Sequence, residues 1–365
     1  MKRRVLERSA CLLAAGLLLG GAAPAPHKPQ KAQATRAKPA SHANPAPQAD
    51  PAPQSILAPE AAQAPVAVID PAVQTEWEII EDPVIRDMAS LDRIAPFEDL
   101  APLWDFVDPE LQRDVEAALH QLRLDGDAEH QRLAVALIDL TDLDQPRVAA
   151  VNGDVMMYAA SLPKIAVLLG AFEKIAQGKL VLDGETEGLM RRMIRESSNQ
   201  ASTELMTRVG KEYIARVLLS PRYRLYDPKH NGGLWVGKDY AQAGLWRRDP
   251  LHNLSHGATA MQVARFYYLL ETGNLVTPEH SLMMKEILAH TALGHKFVAA
   301  LRKIRPDAQL FRKSGSWGTF HSDSVLVERR GRSYIAVALS NDEQGAHWLE
   351  RIIVALDGII FRASS

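Results

Sequence analysis

The last two-thirds of the chain switches between two apolar patterns, while the first third has little of either. Asp108-Pro109-Glu110 combines a cap, a first-turn proline and an acid at the positive end of a helix dipole, and predicts a helix to about Leu124. Residues 133–140 are an apolar run that fits a strand. Residues 147–157 fit a second, interrupted by the turn signal Asn152-Gly153. Behind Ser161 a nearly continuous apolar stretch, 165–172, predicts a helix buried on most sides. Helical spacing recurs over 184–195, 200–209 (with Gly210 as a stop), 261–270 and 278–289. The chain then turns to strands over 325–328 and 334–339, around the turn Arg330-Gly331-Arg332, and closes on a helix over 347–360. Strands at both ends with helices between them predict one mixed sheet packed by helices, an α/β (α+β) fold.

The weakly patterned N-terminal third divides by composition. Residues 1–25 read as an export signal, with basic Lys2, Arg3 and Arg4, an apolar run over 12–19 broken only by Gly16, and small residues around Ala23. That run is too short for an ordinary membrane-spanning helix. Residues 26–71, rich in Ala, Pro and Gln, form a linker that cannot bury enough surface to fold. Residues 72–107 are an acidic, mixed extension, and 108–365 form the folded domain. The only cysteine, Cys11, falls within the signal, so its removal leaves no thiol for disulfides, catalysis or metal binding. Export points to the periplasm or the medium, with the linker as a loose envelope tether. A net charge of −2 without a basic face argues against nucleic acid as a partner.

Three short motifs carry the chemistry, in fixed order: Ser161-Leu162-Pro163-Lys164, Ser197-Ser198-Asn199 and Lys313-Ser314-Gly315. A serine three residues ahead of a lysine shares a helix face with it. The amine can then take the hydroxyl proton and make Ser161 a nucleophile with Lys164 as its base. Burial and a nearby cation would lower the pKa of Lys164 as that role requires. A helix N-terminus at Ser161 would favour an anion developing there.

The set resembles the active site of the penicillin-recognising serine hydrolases, the class A β-lactamases and penicillin-binding peptidases. The likeness extends through Val151-Asn152-Gly153-Asp154, Tyr158 to Ser161, Met193-Ile194, Ala201, Leu205, residues 313–319, Asp323 and Val325. It covers about residues 108–362. The resemblance implies a β-lactamase/transpeptidase-like, five-stranded antiparallel sheet flanked by helices, with the site at the sheet edge. By the same resemblance Ser197 passes a proton to the leaving nitrogen and Asn199 holds the substrate amide. Lys313 and Ser314 attract a carboxylate, Gly315 permits close backbone approach, and the N–H groups of Ser161 and Ser316 form the oxyanion hole. No cofactor or metal is implied. The expected partner is a β-lactam or a peptidoglycan peptide, bound by a monomer.

Several departures qualify this picture. Ser198 stands where the family has an aspartate. The interval from Ser161 to Ser197 is shorter than in typical class A enzymes, which points to a wider or different substrate cleft. Class A enzymes use a loop glutamate to activate the deacylating water, yet residues 213–270 contain none. Asp249 is the carboxylate closest to that place, either as the base or as a turn residue before Pro250. His252 and His256 have i, i+4 spacing but no clear third ligand or helix, so no metal site is expected. The stretches Gly232-Gly233-Leu234-Trp235 and Gly244-Leu245-Trp246 either line the cleft or fill the core beneath a loop. The expectation is an exported serine acyl-enzyme hydrolase, slow in deacylation. A D-alanyl peptidase and a non-catalytic receptor are the alternatives.

Overall fold

The computed structural model describes residues 100–241 and 246–362. The export signal, Cys11, the linker and the extension up to residue 99 lie outside the described residues, as do Gly244 and Leu245. In chain order the elements are α1 (Pro109–Gln121), α2 (Asp125–Glu129), β1 (Leu133–Asp139), β2 (Arg147–Val151), β3 (Met157–Tyr158), α3 (Lys164–Ala176), α4 (Gly184–Arg195), α5 (Asn199–Val209) and α6 (Lys211–Leu219). Then come β4 (Tyr226–Asp227), β5 (Gly232–Gly233), β6 (Trp235–Val236), β7 (His256–Ala258), α7 (Ala260–Glu271), α8 (Pro278–Leu288), α9 (Phe297–Ile304), β8 (Gln309–Trp317), β9 (Phe320–Arg329), β10 (Arg332–Asn341) and α10 (Gly345–Ile360).

Five strands form the antiparallel sheet that the resemblance implies, in the order β2-β1-β10-β9-β8. Its strands read as apolar runs because helices cover both faces. Along β1, Leu133, Val135 and Leu137 pack in one core with α1, α9 and α10, while Ala134, Ala136 and Ile138 enter the other with α3 and α7. Strand β10 repeats the division, Tyr334 and Ala336 on one side and Ile335 and Val337 on the other. This is the period of two that a pleated strand imposes. Strand β8 lies at the sheet edge, so one of its sides is open to other parts of the chain.

Most helices start where the sequence signals them. Asp108 accepts a 2.7 Å bond from Leu111 N, and Ser198 caps α5 through a 3.2 Å bond from Ala201 N. The second predicted strand is split. A turn in which Val155 N bonds Asn152 O ends β2 at Val151, and only Met157–Tyr158 resumes as β3, pairing with β7. Helices α6 and α9, absent from the sequence reading, are short. Gly210 both ends α5 and precedes α6, so the stop signal hid the restart. Residues 100–107, grouped by sequence with the extension, pack on the domain. Leu103 is fully buried, and Trp104 stacks on His230 at 3.9 Å and bonds the Asp154 carboxylate.

Candidate active site

Three elements converge at the open side of β8. The first is the turn into α3. Lys164 N bonds Ser161 O and Ala166 N bonds Pro163 O, the i→i+3 pattern of a tight turn, so the regular helix starts at Lys164 and Ser161 lies one turn ahead of it. In such a turn residues three apart eclipse, so Ser161 and Lys164 still share a face. Fully buried, Lys164 is surrounded by the apolar stretch that follows it.

The second element is the α4–α5 connection. Ser197 has φ +57°, a left-handed conformation that non-glycine residues seldom adopt and that tends to collect at functional sites. Its carbonyl accepts a 2.6 Å bond from Lys164 Nζ, and its hydroxyl lies 3.4 Å from the same amine. Asn199 Oδ1 accepts a further bond from Lys164 at 2.9 Å. An ammonium has three donors, and these contacts use them all. A neutral amine would give one up and gain a lone pair, and the long 3.4 Å contact is the weakest of the three.

The third element is β8 itself. Lys313 Nζ donates to Ser197 Oγ at 2.9 Å and to Ser314 O at 2.6 Å. Ser197 Oγ thus lies between two lysine amines. Gly315 brings the strand against the segment before α3. A Cβ there would stand 2.2 Å from Ala159 O and 2.7 Å from Ser161 N, so no other residue fits without moving backbone. Ser322 Oγ fastens the same approach by bonding Ala159 O at 2.9 Å, and Lys296 Nζ holds Gly315 O at 2.6 Å from behind. Ser316, next along the strand, is exposed and pairs its hydroxyl with His321 Nδ1.

Burial governs the charges. It pushes the Lys164 ammonium down to about 7. The Tyr240 ring, 4.6 Å from Lys164 Nζ, would favour the charged form, but an interaction of roughly 2 kcal/mol when desolvated is outweighed by full burial. Lys313 is pushed well below the ordinary lysine value, first by burial and then by Lys164 and Arg312. Desolvation is the leading cause of the shift at Lys164, and repulsion between the two amines, which depresses Lys313, acts on both partners alike. With both amines on one hydroxyl, the proton inventory belongs to the pair.

Asp249 does not join this cluster. Its Oδ1 accepts from Tyr226 OH (2.9 Å), His252 N (2.9 Å) and Leu251 N (3.2 Å), and its Oδ2 accepts from Leu254 N (2.6 Å). The residue is 3 % exposed and closes the loop between 249 and 254. The expectation of a catalytic base at 249 finds no hydrogen bond from this carboxylate to Ser161, Lys164 or Ser197 among the described residues; it accepts instead from Tyr226 and from three N–H groups of its own loop. His252 Nε2 lies 3.0 Å from both Asn231 O and Oδ1, while His256 is buried elsewhere. Among the described residues no group of His, Cys, Asp and Glu is arranged to hold a metal. Trp235 is buried and packs on Tyr226 and Trp246, which places it in the core and not in the cleft.

A cleft of about 500 Å³ opens above Ser161, with Asn199 and Ser316 among its lining residues. Tyr240, which sequence reasoning missed, and His256, which it weighed only as a metal ligand, also line the cleft, their rings stacked at 4.2 Å and 1°. Among the described residues, the Tyr240 hydroxyl and both His256 nitrogens are buried without a hydrogen-bond partner. Burial, then Lys238 and Lys164, lower the His256 imidazolium to about 3, so the ring is neutral at physiological pH. Neither residue belongs to a local motif, and only the fold brings them to Lys164.

The chain matches the model of the "Beta-lactamase enzyme family" over residues 128–187 and 185–361, most of its length. It belongs to this family. Among solved structures, this β-lactamase-family chain is similar to a β-lactamase from Sphaerobacter thermophilus DSM 20745 (16 % identity, TM-score 0.53), covering 69 % of this chain and 98 % of that one. A β-lactamase from Chitinophaga pinensis DSM 2588 gives 16 % identity and a TM-score of 0.54, with 67 % and 99 % covered. A point mutant of PBP-A, solved as an acyl-enzyme complex with penicillin G, gives 17 % and 0.54, with 72 % and 99 % covered. At these identities the structural likeness establishes the β-lactamase fold. No curated protein matches the chain.

Proposed function

We propose that this β-lactamase-family member is an exported serine hydrolase that forms an acyl-enzyme on Ser161 with a β-lactam or a related cell-wall amide. The observation that carries the reading is Ser197 Oγ held between Lys164 and Lys313, with Lys164 depressed to about 7 beside the Ser161 turn. The neutral Lys164 amine takes the Ser161 proton, and Oγ attacks the amide carbonyl carbon. The N–H groups of Ser161 and Ser316 stabilise the resulting oxyanion, on segments held together at Gly315. The C–N bond then breaks. Ser197 gives its proton to the leaving nitrogen and is reprotonated from the lysine pair.

Release of the acyl group is the slow half. A water attacking acyl-Ser161 needs a base within hydrogen-bond reach. None of the described residues lining the cleft is an Asp or Glu, and Asp249 is occupied. The same observation favours a second reading, a D-alanyl peptidase whose acyl group passes to a better nucleophile than water. That a similar protein, PBP-A, carries penicillin G as an acyl-enzyme in mutant form is consistent with either.

Labelling with a fluorescent penicillin, followed over time, tests the proposal. A slowly fading label supports the hydrolase. A lasting label, with D-alanine released from a D-alanyl-D-alanine peptide, supports the peptidase. Absence of label and of peptide cleavage contradicts both and leaves the receptor.

A further inference from the structure

Among the described residues, two cations at the cleft have no carboxylate partner, although each has an acid beside it in sequence. In Lys238-Asp239 the acid turns away and binds Lys211 Nζ at 2.7 and 2.9 Å. In Arg248-Asp249 the acid turns inward to Tyr226 and three loop N–H groups. Both basic neighbours line the cleft that holds Ser161. Lys238 makes no side-chain hydrogen bond or ion pair among the described residues, and Arg248 spends one N–H on Asn253 O at 3.0 Å. Backbone packing between their loop segments brings them near each other: a Cβ at Gly237 would meet Arg247 O at 2.1 Å, and Gly237 exchanges backbone bonds with Trp246, Arg247 and Ser255.

Lys164 and Lys313, by contrast, are buried, with three donors of Lys164 and two of Lys313 engaged on Ser197, Asn199 and Ser314. No Asp or Glu side chain among the described residues lines the cleft to neutralise the two outer cations. Lys238 also helps Lys164 to depress His256, so its charge is felt at the cleft floor. Clefts of one sign concentrate ligands of the other.

We infer that Lys238 and Arg248 form a subsite for a second carboxylate, carried on the acyl side of the substrate and separate from any carboxylate captured near Lys313. The substrate class is thereby an amide with an acidic acyl side chain, either an acidic β-lactam or an acidic cell-wall peptide. This inference rests on the acyl-enzyme reading above.

Two substrate pairs test it on the full chain. Benzylpenicillin and its α-carboxy analogue differ by one carboxylate. A pair of D-alanyl-D-alanine peptides, with an acidic residue free or amidated, provides the other arm. Acylation rates should favour the acidic member by about tenfold, the ratio two exposed charge pairs supply together. Raising the ionic strength should shrink that ratio. Lys238→Ala/Arg248→Ala should bring it to about one, Lys238→Glu/Arg248→Glu should invert it, and Lys238→Arg/Arg248→Lys should preserve it. The pair that shows the preference identifies the source of the acid. Equal wild-type rates, or a ratio untouched by the alanine and glutamate variants, would overturn the subsite. If neither the penicillins nor the peptides react, the acyl-enzyme reading itself falls and the subsite with it.

Discussion

The Ser197 region and the Asp249 loop are both dense with buried hydrogen bonds, yet they are built in opposite ways. Around Ser197, two lysines share one hydroxyl, both amines are driven below their ordinary pKa, and the backbone adopts a left-handed φ. Around Asp249, four donors meet two carboxylate oxygens in an ordinary loop closure. In the first region, moving a proton relieves a conflict. In the second, moving anything breaks a bond. The difference teaches that burial alone does not mark a catalytic carboxylate or amine. Competition for shared partners is the more telling sign, and of these two regions only the Ser197 cluster shows it.

The sharpest way to break this contrast is to remove the proposed nucleophile. Ser161→Ala should abolish any covalent adduct with a β-lactam and leave the melting temperature near that of the wild type. An adduct persisting in that variant, seen by mass spectrometry, would sink the assignment. Replacing the base comes next. Lys164→Met should slow acylation by about 10²–10⁴-fold, the usual range for a positioned general base. In the wild type the active form is the unprotonated amine, so acylation should rise with pH through about 7 and then level off. A rate that falls over that interval would contradict the role of Lys164.

Lys313→Ala removes the second amine from Ser197 and opens the pocket to water. Since burial depresses Lys164, admitting water should raise its pKa and move the pH–rate limb upward. Stopped-flow acylation at several pH values would show it, and an unmoved limb would mean that the cavity stays dry without Lys313. The smallest chemical effect is expected at Asp249. Asp249→Asn should cost about 1–3 kcal/mol of stability, through donors left unpaired, and leave the adduct lifetime unchanged. A lifetime lengthened tenfold or more in that variant would restore the carboxylate to the deacylation step.

Much of this was legible in sequence because it is local. The Asp108 and Ser198 caps and the apolar runs of α3, β1 and β10 are patterns within a few residues. So are the three motifs, and the fold joins Lys164, Ser197, Asn199 and Lys313 by hydrogen bonds, with Ser161 lining the cleft one turn ahead of Lys164. What escaped notice depends on distant partners. Asp249 resembles a loop base until Tyr226, more than twenty residues away, is seen to bond it. Tyr240 and His256 reach Lys164 only through loop and strand packing, and the outward cation at Lys238 is visible only once Asp239 is seen to face Lys211. Strands β9 and β10 run longer than their apolar cores because polar residues such as Asp323 and Ser324 are satisfied inside the sheet, where Arg312 binds Asp323 at 2.7 Å.

The central claim is that one region acylates and the other only supports. A time course of intact mass with benzylpenicillin, followed by peptide mapping, tests it most directly. The account predicts one adduct per chain, located on the peptide containing Ser161, that accumulates before any steady turnover and decays slowly once free penicillin is removed. An adduct on another residue, or rapid hydrolysis with no accumulated acyl-enzyme, would contradict it.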